Sequence, residues 1–234
     1  DVLRTCSACD RVNAACNAKV DTLQPLPLGS LFWRFHVDSA PKLPKTKDGY
    51  QNCIIIVEAF SRWVELVPVK ELTAEATAKA FKERVLARYG APVEVLTDNG
   101  SEYRGAFTAM LEEHGIEPRR ITPGHPQSNG MAERMVASTK AALRKYVLKA
   151  GVRDWASYLP TIEFGMRMTR QATTGFSPYF LMYGRQPTTP DQVKRQFGDE
   201  PVDVEDVDAM YELISERAKA LAAALPVAYE HIVR

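Results

Sequence analysis

From Trp33 onward the hydrophobic positions first fall into closely spaced runs. FWRFHVD is β-prone and aromatic and leads to Asp38; NCIIIVEAF is unbroken, as in a strand buried on both faces; WVELVPV follows as a neighbour whose Pro68 suits an edge. Three successive strands predict an antiparallel meander. TAEATAKAFKERVLARYG then changes the period to that of a helix, with Thr73 as N-cap and Gly90 as stop. PVEVLTD is again strand, GAFTAMLEEHG a short helix and EPRRIT a brief strand. MAERMVASTKAALRKYVLKAG is the strongest helix, because Val136, Leu143 and Val147 fall on one stripe. A second long helix is expected from about Asp154 towards Arg170, bent at Pro160. SPYFLMYG carries a Ser cap, Pro at the first helical position and a closing Gly. From Val202 the chain is acidic and then Ala-rich, which predicts a surface helix. Strands, then alternation, then helices define an α/β layered domain with a mixed, five-stranded sheet flanked by helices.

Composition narrows the class. The 234 residues are 45% hydrophobic and 25% charged, which excludes a disordered or collagen-like chain and supports one sizeable core with appendages. No run approaches the roughly 18 apolar residues of a membrane span, and the first residues lack the order of a signal peptide, so a soluble intracellular protein is expected. The formal charge of +1 hides an asymmetry: Asp191 to Arg234 holds ten acids against five bases, a net of −5, which leaves +6 on the first 190 residues. A basic body suits a polyanion, although Lys and Arg also simply solvate surfaces. The four cysteines (Cys6, Cys9, Cys16 and Cys53) are too few and too clustered for a disulfide framework. CSAC, with Cys6 and Cys9, reads as half of a zinc site, a redox pair or chance; no His precedes His36, so the stretch does not supply four ligands by itself. LQPLPLGS reads as a linker between this short segment and the main domain.

Two carboxylates, Asp38 and Asp98, stand where apolar strands are expected to give out, and Glu133 lies in the first turn of the strongest helix. Strand ends hold side chains rigidly while the loops leave room, so open sheets place ligand sites there. Three acids brought together repel unless a cation compensates them, and hard oxygen ligands favour Mg²⁺ or Mn²⁺. Taken singly, each position also has a plain structural reading. An Asp before Asn-Gly commonly bonds local amides, and a Glu in a first helical turn complements the dipole.

VLTDNGSEY, TPGHPQSNGMAERMVASTK and WASYLPTIEFGMRMTRQATTGFSPYFLMYGRQP resemble, in this order, the integrases of gypsy-type long-terminal-repeat retrotransposons and retroviruses. The resemblance runs from about Cys6 to Pro187. It implies a ribonuclease-H-like three-layer core at residues 25–190 with a D,D,E triad at Asp38, Asp98 and Glu133. It further implies a two-metal Mg²⁺ or Mn²⁺ site and the processing and joining of double-stranded DNA ends, element and target, by a nuclear homo-oligomer. CSACDRVN resembles the final Cys pair of the family's amino-terminal zinc domain, which makes residues 1–24 its remnant and gives Cys6 and Cys9 a Zn²⁺ role only with ligands upstream. Residues 191–234 form an acidic tail where the family usually continues with a basic domain.

Some positions depart from the family pattern. Thirty-four residues separate Asp98 from Glu133, one fewer than in many members; DSAPKLP replaces the usual sequence after the first Asp; and Glu58 stands where an Asp commonly precedes the FS pair. For DNA contact, Lys140 and Arg144 fall seven and eleven residues beyond Glu133, on its face of the helix, and can track a phosphate backbone. Arg134 joins them, and Gln127, Ser128 and Asn129 in the preceding loop are polar-contact candidates, with His125 a packing residue. Met166 and Met168 are read as core residues, and Trp63 and Trp155 as packing or subunit-interface residues. Beside a metal-dependent polynucleotidyl transferase stands a domesticated, silent relative that binds DNA or protein. A two-carboxylate glycosidase leaves the third acid and the Lys/Arg face unexplained.

Overall fold

A computed structural model describes residues 29–120, 130–149, 154–188 and 207–233, with side chains of the 130–149 segment described from 136 to 145 and those of the last segment from 211 onward. Cys6, Cys9, His125, Gln127, Ser128 and Asn129 lie outside the described residues, as do the side chains of Glu133, Arg134 and Val147.

Strands β1 (Arg34–Ala40), β2 (Asn52–Glu58) and β3 (Val64–Val69) form the expected antiparallel meander, and β4 (Glu94–Thr97) and β5 (Glu117–Arg120) add parallel to β1, giving the order β3-β2-β1-β4-β5. The alternation of side chains splits the sheet's residues between two cores. Phe35, Val37, Ile54 and Ile56 face Phe81, Val85, Phe107 and Leu111 on one side. Ala40, Cys53, Ile55, Val57 and Leu66 face Val136, Leu143, Trp155 and Ile162 on the other. The result is a three-layer sandwich, helices on both faces of a mixed sheet.

Helix α1 starts at Ala74 under the Thr73 side chain, which accepts from Ala76 N at 3.1 Å; it runs as Ala74–Phe81, continues through a π-helical Lys82–Leu86 and a last turn Ala87–Tyr89, and stops at Gly90 with φ +83°. Helix α2 (Ala106–Glu113) packs on the same face. Helices α3 (Gly130–Lys149) and α4 (Leu159–Met168) cover the opposite one. The expected bend at Pro160 does not occur: Trp155–Tyr158 is a separate 3₁₀ turn and α4 begins at Leu159, with Pro160 in its first turn, where a missing N–H breaks no helical bond. Nor does Asp38 end its strand, since β1 runs two residues further and pairs Ser39 with Ile54 and Ala40 with Cys53.

The β3 edge is closed by side chains from α4. Arg167 donates to Val64 O from Nε (3.0 Å) and Nη2 (2.6 Å), the Glu163 carboxylate accepts from Leu66 N, and Pro68, next in this outward series, has no N–H to offer. Behind it Glu65 is fully buried, accepting from Trp63 Nε1 (2.9 Å) and Tyr89 Oη (2.7 Å) and pairing with Arg167 at 3.1 Å. Trp63 and Trp155 are thus packing residues, and Met166 packs against the second core.

Helix α5 (Pro178–Tyr183) has its Ser177 cap bonded to Phe180 N at 3.1 Å and ends on Gly184 in the left-handed region at φ +67°. Helix α6 (Val207–Val233) is exposed at Tyr211 and Ile214, but its far half is not a free surface helix: Ala228 and Ile232 are buried against Leu181 and Phe60. A Cβ at Gly184 would stand 2.9 Å from Arg217 O. Gly184→Ala therefore meets both a left-handed backbone and a backbone clash, and is expected to lose about 2 kcal/mol or more in urea denaturation.

His36, 5% exposed, is held down at about pH 3 by burial first and by Arg34 and Arg62 next. The unfolded chain takes up this proton near 6.5 and the folded one near 3, so the unfolded state binds more protons between them and stability falls as pH drops across that window. His36→Gln is expected to flatten the slope. Urea midpoints at pH 6.5 and 4.5 should show wild type losing on the order of 1–3 kcal/mol more than the variant.

Candidate active site

The parallel pairing of β1 with β4 sets Arg34 opposite Glu94, Phe35 opposite Val95 and His36 opposite Leu96. Carried two residues beyond the pairs that form, the same register directs Asp98 towards Asp38, and the charges of both acids reach Tyr103. β4 ends at Thr97, so Asp98 leaves the sheet while β1 continues under it to Ala40. The turn after β4 is fixed by Asp98 itself, whose Oδ1 accepts from Gly100 N at 2.8 Å. Asp38 is anchored in the same manner, its Oδ1 accepting from Ser39 N at 2.6 Å. In both acids a backbone amide holds one oxygen and leaves the other for different work.

For Asp38 that other partner is Lys140, whose Nζ lies 2.9 Å from Oδ2. The contact locates α3 over the end of β1. Glu133 lies seven residues earlier on α3, two turns along the same face and about 10 Å nearer the helix's amino end. The structure therefore brings Asp38 and Lys140 together, directs Asp98 to the same end of the sheet, and places the backbone of Glu133 on the helix that carries Lys140. Arg144 is exposed one turn beyond Lys140. Arg120 is in register with Thr97 at the outer edge, adding a cation at the same end of the sheet.

Three further residues belong to this cluster. Ser101–Tyr103 forms a 3₁₀ turn that swings Glu102 back to the strand ends, where its Oε1 accepts from Ser39 Oγ at 3.1 Å. Tyr103 is 2% exposed; burial first, and then the charges of Asp38, Glu102 and Asp98, push its phenol well above the ordinary range, with the nearby Ser39 hydroxyl opposing. Its Oη makes no well-formed hydrogen bond among the described residues. The pattern that betrays Asp98, an acid next to Asn-Gly, does not betray Glu102. The only sequence signal is an acid four residues on, in a turn short enough to bring it back.

Glu58, the departure noted above, is structural. It is fully buried, its carboxyl is pushed up by burial, and it accepts from Ser61 N and Ser61 Oγ (both 2.6 Å) and from Phe32 N (3.1 Å), pinning Phe32 and the turn that holds Arg62, both at positive φ. Glu94 is likewise consumed by Arg34 and by Arg119, the latter at 2.6 Å.

Residues 32–126 match the integrase core domain family. Over 187 residues, 80% of its length, the chain is 31% identical to the Pol polyprotein of Radiation murine leukemia virus (strain Kaplan), of which it spans 32%. Among solved structures, the catalytic core domain of BIV integrase superposes with TM-score 0.51 at 24% identity, covering 64% of this chain and 92% of that one. The HTLV-2 integrase catalytic core domain, in complex with magnesium in a trimeric form, superposes with TM-score 0.50 at 18% identity, covering 67% and 97%. The fold is ribonuclease-H-like, and over residues 32–126 the chain is similar to the integrase core domain.

The donor set suits a hard divalent cation: the acids offer carboxylate oxygens, the buried phenol Oη is orphaned beside them, and a cationic ammonium already sits on Asp38. Among the described residues, no group of three or more His, Cys, Asp or Glu side chains is arranged to hold a metal, so a complete cage needs Glu133 or movement of Glu102. Asp38 and Lys140 are 29% and 31% exposed, and such a pair contributes little to folding. Lys140→Ala is accordingly expected to change the stability measured by thermal denaturation by no more than about 1 kcal/mol.

Proposed function

We propose that this chain is the catalytic core of a metal-dependent DNA integrase, a polynucleotidyl transferase that processes 3′ ends and joins them to target DNA. The observation that supports the reading most is the β1–β4 register, which directs Asp98 towards Asp38 at one end of the sheet, in a chain whose residues 32–126 match the integrase core domain. Bound Mg²⁺ or Mn²⁺, held by Asp38, Asp98 and Glu133, would supply activation of a water or 3′-hydroxyl and stabilisation of the leaving oxygen in an in-line phosphoryl transfer. The magnesium in the HTLV-2 core supports that choice of ion.

The chain's own groups orient the site. Ser39 N–H and Gly100 N–H each fix one carboxylate oxygen of Asp38 and Asp98, so the free oxygens point in set directions. Lys140 neutralises Asp38 and, once a metal takes that place, is free to meet a DNA phosphate together with Arg144. Arg134, Gln127, Ser128 and Asn129 extend the proposed contact with double-stranded DNA. The working form we infer is a homo-oligomer acting in the nucleus, and any Zn²⁺ at Cys6 and Cys9 would draw on ligands from outside this chain.

Strand transfer on short duplex DNA with Mg²⁺ or Mn²⁺ tests the reading. Wild type is expected to react, Asp98→Asn and Glu133→Gln to lose activity by at least about a hundredfold, and binding to weaken steeply with salt. Activity that survives both substitutions would falsify the assignment. DNA binding without reaction in every variant, wild type included, would instead favour a silent binding module.

A further inference from the structure

Among the described residues, Glu102 is the acid at this end of the sheet that neither the family resemblance nor a structural ion pair accounts for. One oxygen is tied to Ser39 Oγ, the residue whose amide anchors Asp38. The other lies over Gly100: a Cβ built on that glycine would stand 2.6 Å from Glu102 Oε2 and 3.0 Å from Asp98 Oδ1. Two carboxylate oxygens thus approach a single point, and only a residue without a side chain lets them do so. Such an approach between like charges is unfavourable unless positive charge or hydrogen-bond donors compensate it.

The second observation is independent of the acids. Tyr103 is buried to 2% exposure, and its Oη, with the Ser39 hydroxyl nearby, makes no well-formed hydrogen bond among the described residues. A buried phenol without a well-formed hydrogen bond costs free energy, and a bound water or ion that completes it is one physical reason for such a group to persist. Strand alternation sends Ser39 to the face opposite Asp38, so Glu102 and Tyr103 approach the strand ends from the α2 side while Lys140 and α3 approach from the other.

Resting on the reading of Asp38 and Asp98 as cation ligands, we infer that Glu102 is a positioning carboxylate of the divalent-cation site. It acts from the α2 side through Ser39 and through its shared cradle with Asp98 over Gly100. Its charge raises the site's affinity for the cation, and its bond to Ser39 keeps Asp38 in its ligating orientation. Partners of this kind, behind the direct ligands, commonly govern affinity by ten- to a hundredfold.

The test is Mn²⁺ binding to the whole chain without DNA, followed by electron paramagnetic resonance of the free ion, alongside melting temperatures in chelator. Wild type is expected to bind, Asp98→Asn to lose binding, Glu102→Gln to bind about tenfold more weakly with its chelator melting temperature unchanged, and Ser39→Ala to bind several-fold more weakly. Wild-type affinity in Glu102→Gln, while Asp98→Asn loses binding, overturns the role of Glu102 alone. Retained Mn²⁺ binding in Asp98→Asn overturns the reading of the whole site, and the inference with it. Should Glu102→Gln melt early, Ser39→Ala decides, because it removes the tether without altering any charge: wild-type affinity there overturns the inference.

Discussion

The pairing of β1 with β4 is the constraint on which the rest depends. It is a short parallel contact, with Arg34, Phe35 and His36 set against Glu94, Val95 and Leu96, and it determines what lies beside Asp38. A slip of one residue would send every β4 side chain to the opposite face. Val95 would leave the core it shares with Phe35 and Phe107, and the residue next to Asp38 would no longer be Asp98. Hydrophobic packing thus enforces an electrostatic arrangement that is unfavourable by itself. Because β4 stops at Thr97 and β1 continues to Ala40, the two acids stand at a step in the sheet, where one has left the ladder and the other is still held in it.

The carboxylates near the sheet sort themselves by what their oxygens already touch. Glu58 accepts three hydrogen bonds, Glu65 is ringed by Trp63, Tyr89 and three arginines, Glu94 by two arginines, and Glu163 holds Leu66 N and Arg167. All four are buried, and removing a partner from such a group leaves an uncompensated charge in a poor solvent. They secure turns, the β3 edge and the β1–β4 start. Asp38, Asp98 and Glu102 differ in kind. They lie at or near the surface, are fixed by local backbone amides or a hydroxyl, and gather at the same end of the sheet. Availability, more than acidity, separates the chemical carboxylates from the structural ones.

Most of this architecture is legible in the chain because local and tertiary signals agree. The apolar run of β2 needs both faces buried and finds both; the Thr73 and Ser177 caps form the bonds their positions predict; Asp98 before Asn-Gly makes the expected turn. What escapes is set by partners distant in sequence. Nothing near Asp38 indicates that β1 runs on for two residues, since that depends on Ile54 and Cys53 across the ladder. Helical spacing puts Lys140 on the face of Glu133 but does not name Asp38, 102 residues away, as its partner. Arg167 reaches Val64 across a comparable distance in the chain, and Glu102 becomes visible only when its turn is folded against Ser39.

Lys140 joins these strands of the argument. Two unit charges in close contact attract by about 4 kcal/mol at the effective dielectric of a protein surface, yet solvation and side-chain entropy offset most of that for a pair as exposed as this one. The Lys140–Asp38 bond is therefore sufficient to quiet one acid of the cluster and too weak to lock it. On the proposed function Asp38 would help hold a divalent ion, which carries twice the charge of the ammonium, and Lys140 would then be released from it. So released, Lys140 would stand on a flexible four-carbon stem beside exposed Arg144, where it could meet a phosphate. One residue in this arrangement compensates Asp38 as the chain stands and, on the proposed function, would supply a phosphate contact once metal is held.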